Sequence, residues 1–256
     1  MKPAVVFPFH DPEGLMFTHL HNILPQLKHT FSCAYISITR PTLQNCQSNV
    51  HQIQADPFFR PYLLSEEIQV GKHFSSLFLH AATLSPPEQI LHLCFIDRLA
   101  FILQSKYQEQ FVDDLTSITK EQTPLIFQRS QKAWNTHPCN YAAIEKFATT
   151  VGEFVLGKTL DFAWCHLVME ASWLKRILLN VQSADLSMVA ELVLFSEDRI
   201  KTRDVDWLEW EDPFFSSLQA GELKQTRESS LAETRKRCTY VLPMIQKILK
   251  FSAQDG

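Results

Sequence analysis

The run Gln89 to Leu103, QILHLCFIDRLAFIL, constrains this chain more than any other stretch. Ile90 to Ile96 is an apolar run of strand length. It ends on Asp97-Arg98, and apolar residues at helical spacing (Leu99, Ile102, Leu103) follow at once. A buried strand that feeds directly into a helix is the building unit of an open α/β sheet. In such sheets ligands lie beyond the carboxyl ends of the strands. Asp97-Arg98 therefore falls where chemistry is done. A carboxylate there can hold a divalent cation, Mg²⁺ or Mn²⁺, and the cation can hold phosphate oxygens. The competing reading is that Asp97 caps the helix and Arg98 is solvated.

The same alternation runs through the first half. Pro3 to Phe9 reads as a strand closed by the turn-forming cluster His10-Asp11-Pro12-Glu13-Gly14. Leu15 to His29 has helical spacing, Cys33 to Thr39 is a second strand, and Leu43 to Ala55 is a helix. Phe58 to Leu64 is a short strand or an extended segment. Val70 to Leu84 is a helix stopped by Ser85-Pro86-Pro87, and Pro124 to Arg129 is another strand. The second half is more helical. Tyr141 to Val155, Glu170 to Asn180 and Ser229 to Phe251 read as helices, the last interrupted by Pro243. Leu160 to His166 is ambiguous, Val189 to Phe195 is strand or helix, and Asp204 to Trp210 alternates. The pattern predicts a mainly parallel sheet covered by helices.

At 256 residues the chain buries a core large enough to need no staple. A net charge of −4 without a basic run argues against a nucleic-acid surface. The six cysteines form no CxxC pair, so they read as reduced, buried thiols of a cytoplasmic protein rather than a zinc site or a disulfide framework. No apolar run reaches membrane-spanning length, and the N-terminus does not read as a signal peptide. The motifs GxGxxG and GxSxG are absent, which excludes a Rossmann dinucleotide fingerprint and a nucleophile elbow.

Other polar clusters sit at strand ends or helix starts. His10-Asp11 can grip a nucleobase or ribose, or form an Asx-turn. Gly71-Lys72 opens a helix, where a lysine meets phosphate or simply lies on the surface. Arg129, Lys132 and His137 follow a strand and can contact phosphate or an acceptor, or form a polar loop. Asp161, beside the aromatic residues Phe162 and Trp164 in LGKTLDFAWCH, suits sugar hydroxyls or is a buried, hydrogen-bonded aspartate. Asp212, in WLEWEDP, is an N-cap ahead of Pro213 or a general base.

In their order these segments resemble the nucleotide-sugar-dependent glycosyltransferases of the GT-A type. PAVVFPFHDPEG stands where such proteins contact the nucleobase, CFIDR where they carry Asp-x-Asp, LGKTLDFAWCH at their acidic acceptor segment, and LEWEDPFF at their Glu-Asp element. The resemblance covers most of residues 3 to 215. It implies an α/β, GT-A-like single domain. Residues 1–130 would form the nucleotide-binding half, 131–222 the acceptor half and 223–256 a C-terminal helix. The implied activity is transfer of a sugar from a UDP- or GDP-linked donor to an unknown acceptor. By the same resemblance His10 and Asp11 hold the nucleoside, Lys72 and Arg98 the diphosphate, Asp97 the metal or ribose, and Asp161 the sugar or acceptor. Asp212 acts as base. Phe95 stands where the first metal aspartate would be, so the divalent-cation element is incomplete. Two other readings remain open: a silent module of the same fold that binds a nucleotide sugar or a partner protein, and a nucleotidyltransferase.

Overall fold

The computed structural model describes residues 2–210 and 220–252. In chain order it contains β1 (Ala4–Phe9), α1 (Leu15–Thr30), β2 (Ala34–Ile38), α2 (Arg40–Asn45), α3 (Gln47–Ala55), β3 (Phe59–Leu63), α4 (Val70–Leu84) and β4 (Ile90–Cys94). There follow α5 (Ile96–Gln104), α6 (Gln108–Thr116), β5 (Leu125–Arg129), α7 (Gln131–Thr136), α8 (Cys139–Leu156), β6 (His166–Glu170) and α9 (Ala171–Leu178). The chain ends with α10 (Met188–Leu194), β7 (Lys201–Val205), α11 (Ala220–Ser229) and α12 (Leu231–Ser252).

The strands form one mixed sheet in the order β3-β2-β1-β4-β6-β5-β7. β6 runs antiparallel to β4 and β5, and the remaining pairs are parallel. Helices cover both faces, so the central strands are apolar on both sides. Along β1 the side chains alternate between two cores. Ala4 and Val6 join the one built with Phe74 and Leu77 of α4, while Val5, Phe7 and Phe9 join the one built with Leu20 and Ile23 of α1. The chain winds outward from β1 through β2 to β3, then returns to lay β4 on the other side of β1. The winding thus reverses between β1 and β4, and the crevice beyond their carboxyl ends is the sheet's expected ligand position. No described helix is long and apolar enough to cross a membrane.

Several elements differ from the sequence expectations. The strand from Ile90 ends at Cys94, and Ile96 already belongs to α5, leaving Phe95 as the joint. Asp97 therefore lies in the first turn of α5; Phe95 holds the N-cap position, without a side-chain cap. The expected helix over 43–55 is two helices broken at Cys46. α6 has no counterpart in the sequence reading. Val189 to Phe195 resolves as the helix α10, because each of Met188 to Leu194 is buried by a neighbour on some side. Only Cys94 is fully buried, while Cys139 is exposed and the other four thiols are half-buried.

Candidate functional site

The carboxyl end of β1 carries His10 and Asp11, that of β4 Asp97 and Arg98, and that of β5 Arg129. Because β6 runs the other way, its amino end, with Cys165, lies at this same edge. Two adjoining cavities open there, and Phe95 and Asp97 line both.

The first, of about 450 Å³, lies at the reversal point between β1 and β4. Its wall is mainly apolar (Pro8, Ile68, Val70, Phe74), with His10, Thr39, His73 and Asp97 as the polar groups. His10 Nδ1 lies 2.8 Å from Thr39 Oγ1, which fixes the ring at the rim. His73 is buried, and its Nε2 lies 2.5 Å from Ser37 Oγ. Burial, helped by the nearby His10, holds its pKa down at about 4, so the ring is neutral at ordinary pH. Asp11 is not in this wall. Its buried carboxylate accepts the Phe17 N–H at 3.0 Å and so caps the start of α1, while its own N–H donates to Thr42 Oγ1 at 2.7 Å.

Lys72 also lies outside the crevice wall. Its Nζ reaches the Gln182 carbonyl at 3.5 Å, across from the loop before α10. The glycine beside it has a packing reason: a Cβ on Gly71 would sit 2.2 Å from the Asp185 carbonyl oxygen. Gly71 N–H instead donates to Ala184 O at 2.8 Å. The Gly71-Lys72 pair thus seats a loop against α4.

The second cavity, of about 300 Å³, is walled by the ends of β4, β5 and β6, by α8, and by Arg237, Tyr240, Val241 and Met244 of α12. A buried charge network forms its floor. Arg129 donates Nε–H to Asp161 Oδ2 at 2.7 Å and Nη2–H to Oδ1 at 2.6 Å, and its Nη1–H reaches Glu145 Oε2. The guanidinium stacks 3.6 Å above the Trp134 ring. Arg237 Nη1 lies 2.9 Å from Glu145 Oε1, which ties α12 to α8. Burial opposes charge on both Arg129 and Glu145. The Asp161 and Glu145 carboxylates more than offset it for Arg129, and Arg129 with Arg237 does so for Glu145, so both stay ionised. His137 is held neutral, its pKa near 2, by burial and then by the Arg129 charge. Its Nδ1 lies 2.9 Å from Ala133 O.

Asp161 is thus placed beside the cavity, but both its oxygens serve Arg129, and Oδ1 also accepts the Ala163 N–H at 3.2 Å. Lys132 is engaged with Asp206 at 2.9 Å. Asp97 is the least restrained carboxylate of the second cavity: its side chain is 42% exposed, and Arg98 Nε is 3.9 Å from Oδ2. Asp212 lies outside the described residues. Sequence reasoning missed Glu145, Arg237, His73 and Tyr240. The signal for Glu145 is an acid on the buried face of a helix, four residues after Tyr141 and three before Ala148.

A divalent cation at Asp97 does not fit the described residues. The chemistry needs a second hard oxygen ligand, and the neighbouring position is Phe95. Among the described residues the one grouping with ligand geometry is His92, Cys94 and His166, buried in the core where β4 ends and β6 begins and not including Asp97. There the two imidazoles hydrogen-bond each other at 2.8 Å among Phe31, Phe111 and Trp207. Comparison with models of known protein families and with curated protein sequences finds no match.

Proposed function

We propose that this chain is a GT-A-like glycosyltransferase that moves a sugar from a UDP- or GDP-linked donor to an acceptor hydroxyl. The observation that carries the reading is the meeting of two cavities at Asp97, one mainly apolar and at the reversal point of the sheet, the other charged and aromatic. A two-substrate transfer needs such a pair of compartments with the reacting bond at their junction. In this account the nucleoside occupies the first cavity, with His10, Thr39 and His73 as its polar contacts. The diphosphate lies over the start of α5, where backbone N–H groups and Arg98 meet its charge. Arg98, and not a divalent cation, neutralises the leaving group. Asp97 faces the junction and orients the ribose or the transferred sugar. Asp161 acts at one remove, by holding Arg129 under the second cavity. Asp212 remains the proposed base that takes the acceptor proton.

The second reading is a module that binds the nucleotide sugar without turnover. The engagement of both Asp161 oxygens favours it, because one fewer carboxylate is open to substrate. Release of nucleoside diphosphate from a panel of UDP- and GDP-sugars separates the two. Transferase chemistry predicts release that falls by about 10²–10⁴-fold in Asp212→Asn, since asparagine caps a helix as well as aspartate but takes no proton. Nucleotide binding with no release by the wild type favours the silent module.

A further inference from the structure

The second cavity has an electrostatic balance that selects its occupant. Four carboxylates (Asp97, Glu145, Asp161, Glu209) and three guanidiniums (Arg98, Arg129, Arg237) line it. Arg129 is saturated by Asp161 and Glu145, and Arg237 is paired with Glu145. Glu209 accepts the Tyr107 O–H and lies 3.7 Å from Lys106. Away from the Asp97-Arg98 junction each charge thus has its partner inside the protein. An anionic occupant would add negative charge where carboxylates already outnumber guanidiniums, and it would have to compete with Glu145 for Arg129 or Arg237. A hydroxyl both donates and accepts. It can use the spare lone pairs of a paired carboxylate and leave the ion pairs intact.

The aromatic walls point the same way. Trp164 gives its indole N–H to Val189 O at 3.1 Å and Trp207 to Asp114 Oδ2 at 2.9 Å, and both are buried behind the wall, so they shape it without facing an occupant. Trp210 and Tyr240 are half-buried at its wall. Flat carbon surfaces beside hydrogen-bonding groups match the two sides of a pyranose ring. The volume, about 300 Å³, is at the small end for ligand pockets.

We infer that this cavity binds an uncharged, hydroxyl-rich acceptor, a neutral monosaccharide unit, and rejects phosphorylated or carboxylated sugars. The inference rests on the glycosyl-transfer reading for the word acceptor, but the sugar-binding claim is separable from it. The test is saturation-transfer NMR on the full chain with UDP present. The ligands are methyl glucoside, galactoside, mannoside and N-acetylglucosaminide, against glucose 6-phosphate, mannose 6-phosphate and glucuronate. The expected result is saturable signal from at least one neutral glycoside. Its affinity should fall about tenfold in Tyr240→Ala and hold in Tyr240→Phe, and the charged sugars should bind at least about tenfold more weakly. Charged sugars that bind as well as neutral ones overturn the inference. So does a nucleotide-binding protein that binds none of the glycosides, or binding indifferent to Tyr240→Ala in a protein that keeps its wild-type far-UV spectrum. Glycoside binding without any UDP or GDP binding supports the sugar cavity and overturns the glycosyl-transfer reading instead.

Discussion

Arg129 grips Asp161 through two hydrogen bonds of 2.6 and 2.7 Å, in a place where the side chains of both are 5% exposed. Two charges so deep are tolerated because each completes the other's hydrogen bonding. The fork joins the end of β5 to the loop that precedes β6, and Glu145 extends it to α8 and, through Arg237, to α12. Four separate parts of the chain are thus joined through Arg129 and Glu145 to shape the floor of the second cavity.

Removing the Arg129 guanidinium leaves buried Asp161 without its partner and Glu145 with Arg237 alone. Arg129→Met is expected to lower unfolding free energy by about 3–5 kcal/mol, measured by urea denaturation. Arg129→Lys restores charge but not the planar fork, so it should recover only part of the loss. Wild-type stability in Arg129→Met would show that the network contributes nothing to the fold.

The buried histidines set the response to acid. His92, buried in the core, has its pKa lowered to about 3 by burial, and His137 to about 2 by burial and then Arg129. Both are neutral when folded and protonate near pH 6.5 when unfolded. The unfolded chain therefore binds more protons below pH 6.5, and stability falls as pH drops from there toward the folded values. Each histidine contributes up to about 1.4 kcal/mol per pH unit over that range. Glu145, whose folded pKa is lowered by its arginines despite burial, adds its own loss below about pH 4.5. Urea midpoints at pH 7.5, 6 and 5 should decline progressively. A midpoint that stays level down to pH 5 would contradict neutral buried imidazoles.

Much of the site's framework is legible in the sequence, and the reason is local. An apolar run that switches to 3.6-residue spacing marks the ends of β1 and β4, and so places His10 and Asp97 on one edge without any tertiary knowledge. The ion network is not legible, because Arg129 lies 16 residues from Glu145 and 32 from Asp161, and only the docking of α8 and the following loop joins them. Lys72 shows the other limit. Its position near a helix start is readable, but its direction is decided by a loop 110 residues away. Asp11 and Asp161 were both candidates for ligand contact by residue type alone, and in each the backbone or an arginine takes up the carboxylate.

Gly152 is where α8 accepts the loop that carries Asp161. A Cβ there would lie 2.1 Å from Phe162 Cε2, against a ring that is fully buried. Gly152→Ala should cost about 1–3 kcal/mol by overpacking. It should also shift Phe162 and with it the neighbouring Asp161, so glycoside affinity falls while nucleotide affinity holds. Unchanged thermal stability would show that the helix and loop part easily.

The most direct test of the account is calorimetric titration of the wild type and Arg98→Gln with UDP and with GDP, each in EDTA and in Mn²⁺. The account predicts that one nucleotide binds in EDTA and that Arg98→Gln weakens it by about 1.5–3 kcal/mol, roughly 10- to 150-fold. No binding of either nucleotide under any condition, or binding seen only with Mn²⁺ and indifferent to Arg98→Gln, would contradict it.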